Sequence, residues 1–431
     1  AYRFGSNKFA TPELHAINRA AYWDYQRNKI YVRSSKQLKR ISKRHCNRKS
    51  RRLPVNKIIE CGAPSNCPKC KSRNITTYRK ETKTVYDLKF THTGIKRWIV
   101  RFLFRRYACN MCGNTFLSKK RSWTRSKYGS ALLSYTIYQI IELCHPQATV
   151  EKNLNELFAL NIPTGSISRL KTRASQFYRY TYETLIKNIS NGLLIHADET
   201  KLNIKNNSVY VWILTNLEEV VYIYSTTREA DMIQKLLKNF TGILVSDFYA
   251  GYNSINCLQQ KCLIHLIRDL NDDLFKEPFN EELKELVWQF GLMLKPMIET
   301  VDRYGLKKRY LRKHNKDVSH FYKMLAKSNY ESEIANKYKK RFDKNRYKLF
   351  TFLNYDGVPW NNNNAEHAIK AFARLRKIVR GLTSEKGIQE YLILLSICET
   401  CKYKGISFLS FLRSGQRDID EFINNRHSVE S

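Results

Sequence analysis

Leu194-Ile195-His196-Ala197-Asp198-Glu199-Thr200 is the stretch whose reading decides the fold. Four mostly apolar residues run straight into two acids and a hydroxyl. A short apolar run of this kind predicts a strand buried on both faces, inside a sheet covered by helices. An acid where such a strand leaves the core lies at the carboxyl end of the sheet, where α/β ligand sites gather. Gly242-Ile243-Leu244-Val245-Ser246-Asp247 repeats the pattern, so two apolar strands each end in Asp. A third acid, Glu366, follows Trp360-Asn361-Asn362-Asn363-Asn364-Ala365 at the head of a basic helical stretch. Three carboxylates on separate elements are a ligand set for hard divalent cations.

Around these acids, residues 193–204, 208–215 and 220–225 read as strands, the first two joined by Lys205-Asn206-Asn207. Residues 230–240 read as a helix, 242–246 as a fourth strand and 261–264 as a fifth. Three strands, a helix and a strand returning beside the first open a ribonuclease-H-like fold. That order sets Asp198 and Asp247 on neighbouring strands. Residues 271–350 are helical and basic, with clusters at Lys307-Lys308-Arg309 and at Lys337, Lys339, Lys340 and Arg341. They read as a helical insertion in an α/β catalytic domain of residues 191–413, with 414–431 as a tail. A lone strand-end Asp is ordinarily a turn or cap residue, and a Glu on an exposed helix a solubility residue. Two strands ending alike weigh against the first reading. Against the second, Lys370, Arg374 and Lys377 share the helical face of Glu366, as a helix laid on a DNA backbone would arrange them.

Upstream, Cys67-Pro68-Lys69-Cys70 and Cys109-Asn110-Met111-Cys112 are two CxxC knuckles separated by strand-like runs at 84–88 and 98–102. Each knuckle supplies two thiolates from one backbone loop, and four complete a structural Zn2+ site. Residues 61–120 therefore read as a zinc ribbon, whose hairpin also carries Lys96, Arg97, Arg101, Arg105 and Arg106. Residues 125–190 read as helices at 131–144, at 150–160 and from Ser166 onward, with a turn at Asn161-Ile162-Pro163-Thr164. Helix, short turn and helix resemble a helix-turn-helix. Ile167, Leu170 and Ala174 would face inward, and Arg169 and Arg173 outward toward DNA. Plain three-helix packing is the bland alternative.

The 431 residues carry 76 Lys and Arg against 38 Asp and Glu, a net charge of +38 that favours a polyanionic partner. Residues 1–60 form a basic arm, densest at 33–52, that reads as disordered when alone. No apolar run reaches the roughly 18 residues of a spanning helix, so DNA is favoured over a membrane. The chain opens on Ala1 without an apolar signal region, which suggests a trimmed start or a fragment. Eleven Cys with two CxxC pairs suggest metal and a reducing, cytoplasmic compartment. Cys262 and His265 form a CxxH pair. Two ligands do not make a site, so packing or a structural hydrogen bond is the favoured reading. His196, inside the first strand, reads as a satisfied core residue.

Asp198-Glu199-Thr200, the run from Ser246 to Tyr252, the run from Cys262 to Leu270, and Asn363-Asn364-Ala365-Glu366 together resemble the DDE transposases of bacterial and archaeal insertion sequences. The nearest is the insertion-sequence-66 group, which Arg376-Lys377-Ile378-Val379-Arg380-Gly381, Ser384-Glu385-Lys386-Gly387 and Glu399-Thr400-Cys401-Lys402 resemble too. The resemblance spans about residues 60–415, and the four-Asn run departs from the group's pattern. It implies a ribonuclease-H-like core, Mg2+ or Mn2+, and DNA cleavage followed by strand transfer. By it, Asp198, Asp247 and Glu366 are the catalytic triad. Glu199, which would point to the other side of its strand, is left out. The implied partners are transposon ends and target DNA, bound by a homodimer or higher oligomer at the nucleoid. The rival readings are a transposase-derived DNA-binding protein without catalysis and a ribonuclease-H-type nuclease.

Overall fold

A computed structural model describes residues 53–62, 64–117, 126–204, 207–379 and 384–430. The basic stretch 33–52, positions 205–206 of the expected turn, and Arg380 and Gly381 lie outside the described residues.

The first elements are β1 (Lys57–Glu60), β2 (Ile75–Thr91), β3 (Gly94–Cys109) and β4 (Thr115–Leu117). β2 and β3 form one antiparallel hairpin, with β1 and β4 both paired to β3. Its strands are 17 and 16 residues long, against the five-residue runs expected at 84–88 and 98–102. The inner half buries Val85 and Leu88 of β2 with Ile99 and Phe102 of β3, whereas in the outer half only β3 has buried residues, Phe104, Tyr107 and Cys109. The outer half pairs Arg79, Lys80 and Glu81 with Arg106, Arg105 and Phe104, so backbone pairing continues where β2 has no apolar alternation to mark it.

Four helices follow: α1 (Ser130–Ile141), α2 (Gln147–Phe158), α3 (Thr164–Phe177) and α4 (Arg179–Ser190). Asp87 joins the hairpin to α1, its Oδ1 accepting the Leu132 N–H at 2.7 Å. The approach is so close that a Cβ on Gly129 would stand 2.0 Å from the Asp87 carboxylate. Ile167, Leu170 and Ala174 of α3 face inward as expected. The long helix expected from Ser166 breaks at Tyr178, whose buried ring lies 5.6 Å from Phe411.

The central sheet contains β5 (Leu194–Ile204), β6 (Asn207–Thr215), β7 (Val220–Ser225), β8 (Ile243–Ser246) and β9 (Leu258–Lys261), with α5 (Asp231–Leu236) before β8. The strand order is β7-β6-β5-β8-β9. β5, β6 and β7 are antiparallel neighbours, while β8 runs parallel to β5 and β9 parallel to β8. β8 is buried on both faces: Leu244 joins one core, Ile243 and Val245 the other. The fifth strand ends at Lys261, and the apolar run Cys262-Leu263-Ile264 opens α6 (Leu263–Lys276) instead of extending it.

Between α6 and Glu366 lie α7 (Glu281–Tyr304), α8 (Lys308–Leu311), α9 (Asn315–Lys327) and α10 (Glu333–Lys344). They gather around Phe290, Phe321 and Phe342, whose rings are 5.1–6.0 Å apart. The chain then returns as α11 (Asn363–Val379), α12 (Glu385–Tyr403), α13 (Phe408–Ser414) and α14 (Ile419–Glu430). α12 covers the edge strand β7: Val220 N–H donates to Thr400 Oγ1 at 3.1 Å and Tyr222 N–H to Ser396 Oγ at 3.0 Å. An edge strand with its amides so occupied cannot template foreign pairing. No described helix is long and apolar enough to cross a membrane.

Candidate functional site

The parallel pair β5–β8 aligns His196 with Val245. Asp198 and Asp247 each lie two residues further on, at the same level: Asp247 just past the end of β8, and Asp198 midway along β5, which runs on beside β6 to Ile204. Side chains alternate along a strand, so Asp198 shares the face of His196 and Glu199 takes the other. The register pairs Asp198 with Ile213 and Ile213 with Tyr222. Tyr222 on that same face donates its hydroxyl to Ala368 O of α11 at 2.8 Å. α11, with Glu366 in its first turn, therefore lies over the face that carries Asp198.

Burial pushes the Asp198 carboxyl up to about 7, and the charges of Asp247, Glu199 and Glu366 add to the rise. The Glu199 N–H, 2.8 Å from its Oδ1, opposes them only in part. Asp247 is held locally, its Oδ1 accepting the Tyr249 N–H at 2.9 Å. Oε1 of Glu366 is buried and has no hydrogen-bond partner. Crowded carboxylates with an orphaned oxygen are a donor set that a divalent cation would relieve. Asp198, Asp247 and Glu366 are nonetheless not among the groups whose ligand atoms all lie within 4.8 Å of one another.

Two such groups occur among the described residues. One is Cys67, Cys70, Cys109 and Cys112, the four ligands expected of the ribbon. Cys67 and Cys112 sulfurs are 3.7 Å apart, Cys70 and Cys109 sulfurs 3.4 Å. Burial raises the Cys67 thiol, but the N–H groups of Cys70 and Lys69 outweigh it and bring it down to about 6. The Ser72 N–H lowers Cys70, yet the neighbouring sulfurs of Cys109 and Cys112 drive it up to about 12. Four thiolates this close need a cation to ionise together, and an all-sulfur set suits zinc. The other group is Cys262, His265 and Glu366.

Three neighbours of the acids were not anticipated as functional. Asn362 is wholly buried and ties three elements together. Its Oδ1 meets His196 Nδ1 at 3.1 Å, its Nδ2 donates to Ala197 O at 2.9 Å, and its N–H donates to Cys262 Sγ at 3.2 Å. It thus ties the first half of β5, the start of α6 and the start of α11, and with them Asp198 and Glu366. The four-Asn run was its only visible signal. His196 is core as expected but only half satisfied: burial takes it down to about 4, and its Nε2 has no partner.

Lys261 is 1 % exposed, donating to Ser246 Oγ at 3.0 Å and Asp247 O at 2.9 Å. Burial lowers it to about 8, with Lys348 adding to the drop. It pins the turn from which Asp247 projects, and in so basic a chain one more Lys carries no signal. Arg228 is the third, donating from Nε at 3.1 Å and Nη2 at 2.7 Å to Glu199 Oε1. With Tyr252 Oη 2.8 Å from its other oxygen, Glu199 is engaged on the opposite side of the strand.

Of the expected DNA contacts, Lys370, Arg374 and Lys377 are all exposed on α11. Arg169 is exposed on α3, its Nη2 3.1 Å from Ser166 Oγ. Arg173 is half-buried and donates to Tyr128 O at 3.4 Å.

The raised Asp198 carboxyl has a stability consequence. Between about pH 4 and 7 the folded chain keeps a proton that the unfolded chain has released, so stability falls as pH rises through that window. Above pH 7 the full cost remains. In chelator, Asp198→Asn is expected to resist denaturant better than wild type at pH 8, by roughly 4 kcal/mol, and to match it near pH 4. Equal midpoints at pH 8 would mean that the acid is not strained.

No curated protein matches the chain. The model of the Transposase IS66 family matches residues 125–390, a span that contains Asp198, Asp247 and Glu366 and leaves the four-Cys cluster outside. With more than half of its length matched, the chain belongs to the IS66 family of transposases.

Proposed function

We propose that the protein is a metal-dependent DNA transposase that cuts at transposon ends and transfers the freed strand into target DNA. The observation that supports this is the equal placement of Asp198 and Asp247, each two residues past the last paired position of the adjacent parallel strands β5 and β8, under the helix that brings Glu366. The strand order third-second-first-fourth-fifth, with a helical insertion before the third acid, supports a ribonuclease-H-like core. Asp198, Asp247 and Glu366 would hold Mg2+ or Mn2+, which when bound stabilises the attacking and leaving oxygens of an in-line displacement. Asn362 and Lys261 fix the strand ends and helix starts that carry the acids, so geometry is set before DNA arrives. Lys370, Arg374 and Lys377 bind the DNA backbone as point charges. Water attacks first and frees a 3′ hydroxyl, and that hydroxyl then attacks the target in the same site. The four-Cys cluster is read as a structural Zn2+ site, and the exposed cations of its hairpin as further phosphate contacts. A transposon has two ends, so a homodimer or larger assembly on DNA at the nucleoid is the working form.

The test is a gel assay with labelled transposon ends, Mg2+ and a plasmid target. Joined product is expected. Cutting without joining favours a nuclease, and binding without cutting favours a non-catalytic derivative. Arg169→Ala and Arg173→Ala are expected to lower preference for the transposon's own ends by roughly 1–3 kcal/mol per lost base contact while sparing random DNA. Equal loss on both DNAs, measured by competition binding, would leave α3 a packing helix.

A further inference from the structure

We propose that Cys262, His265 and Glu366 form a second metal site, one that takes a thiophilic divalent cation of the zinc class. The CxxH pair supplies sulfur and nitrogen from the first turn of α6. The third donor comes from the first turn of α11, about a hundred residues later, where no local motif points to it. The three ligand atoms all lie within 4.8 Å of one another. Bonds of roughly 2.0–2.3 Å to a tetrahedral ion set neighbouring ligands about 3.5 Å apart, so small side-chain rotations close the site.

The surroundings favour an ion over a plain polar cluster. His265 Nδ1 and Glu366 Oε1 are both buried without a hydrogen-bond partner. His265 Nε2 stands 3.9 Å from that oxygen, too far for a hydrogen bond between them. A cation between Nε2 and Oε1 gives the orphaned carboxylate oxygen a partner. Cys262 is fully buried, and its sulfur already accepts the Asn362 N–H at 3.2 Å, which holds it in place. A sulfur, a nitrogen and one carboxylate oxygen form a softer set than magnesium prefers. Three protein ligands leave a fourth position for water or a substrate oxygen, unlike the closed four-Cys site.

Glu366 also belongs to the proposed catalytic triad, and this inference deepens that reading at the shared carboxylate. The two fail separately: strand transfer is read on gels with Mg2+, and this site is read by counting zinc. Full-length wild type, Cys262→Ser and His265→Gln are dialysed against excess Zn2+ and then against buffer, and bound zinc is measured. Wild type is expected to keep one more zinc per chain than either variant, whatever the four-Cys site holds. A Co2+ titration monitored by absorbance should show a weak sulfur-to-metal band that Cys262→Ser loses. Glu366→Gln should bind the second ion more than roughly 100-fold more weakly, since removing a ligand costs more than removing an outer partner. Both substitutions at the pair are conservative, and matching circular dichroism establishes that they fold. Equal zinc counts in wild type and both variants overturn the proposal. So does a sulfur-to-metal band of the second equivalent that survives Cys262→Ser.

Discussion

Glu366→Gln protein is expected to bind transposon-end DNA as tightly as wild type and to join almost none of it to a target. Gln keeps the shape and the helix propensity of α11 but removes the charge that draws a cation to its first turn. Binding survives because Lys370, Arg374 and Lys377 stay exposed along the same helix. In the proposed mechanism one site serves both displacements, so cutting and joining should fall together, and loss of several kcal/mol of charge stabilisation means roughly a thousandfold or more. Asp198→Asn and Asp247→Asn should behave alike. Glu199→Gln should be far milder, because its carboxylate is engaged by Arg228 and Tyr252 on the other face of β5. Near wild-type joining by Glu366→Gln would sink the triad. Glu385 would then be tested first, because Glu390 is locked 3.0 Å from the buried Lys171 ammonium.

Stripping metal from the four-Cys cluster should open one end of the long hairpin and spare the rest. Zinc-finger peptides draw about 10–16 kcal/mol from their ion, and an isolated two-stranded hairpin is marginal. Here the two halves of the hairpin differ. The inner half is docked on the helices through Leu88 and the Asp87 bond to α1, whereas the outer half has only the hairpin's own Phe104, Tyr107 and Phe116 to bury, with Arg79 and Lys80 exposed. A zinc chelator, or Cys112→Ser, is therefore expected to speed amide exchange by orders of magnitude across residues 61–83 and 103–117. Residues 85–100 and the central sheet should keep their protection. Hydrogen-exchange mass spectrometry reads this directly, and an unchanged pattern would show that the cluster holds no structural ion.

The strands that carry Asp198 and Asp247 were legible because burial on both faces leaves an uninterrupted apolar run with a polar end. Their parallel register could be anticipated from element order, and the aligned pair His196–Val245 follows that order. The reach of the hairpin was not legible, because the outer half of β2 is polar and exposed and the buried Phe104 and Tyr107 of β3 are separated by Arg105 and Arg106, which breaks the alternation. Cys262-Leu263-Ile264 misled for the opposite reason: a short apolar run suits a strand and a buried helix turn equally. Lys261 was missed because one more Lys in so basic a chain carries no signal, and Asn362 because its role comes from partners far along the chain. Asn362 meets His196 across 166 residues, and no local pattern encodes such a contact. The same holds for Glu366 beside His265.

The cover over β7 has a consequence for how the chain is made. The amides of Val220 and Tyr222 wait for partners 180 and 174 residues downstream. At about 5–20 residues per second of synthesis, that is a delay of roughly 10–35 seconds. The helical insertion, which lies between, lengthens the wait. During it the nascent sheet offers a bare, sticky margin to any extended peptide nearby. A ribosome that stops before Ser396 thus releases a fragment prone to clump, and chaperone demand should peak while the insertion is being translated.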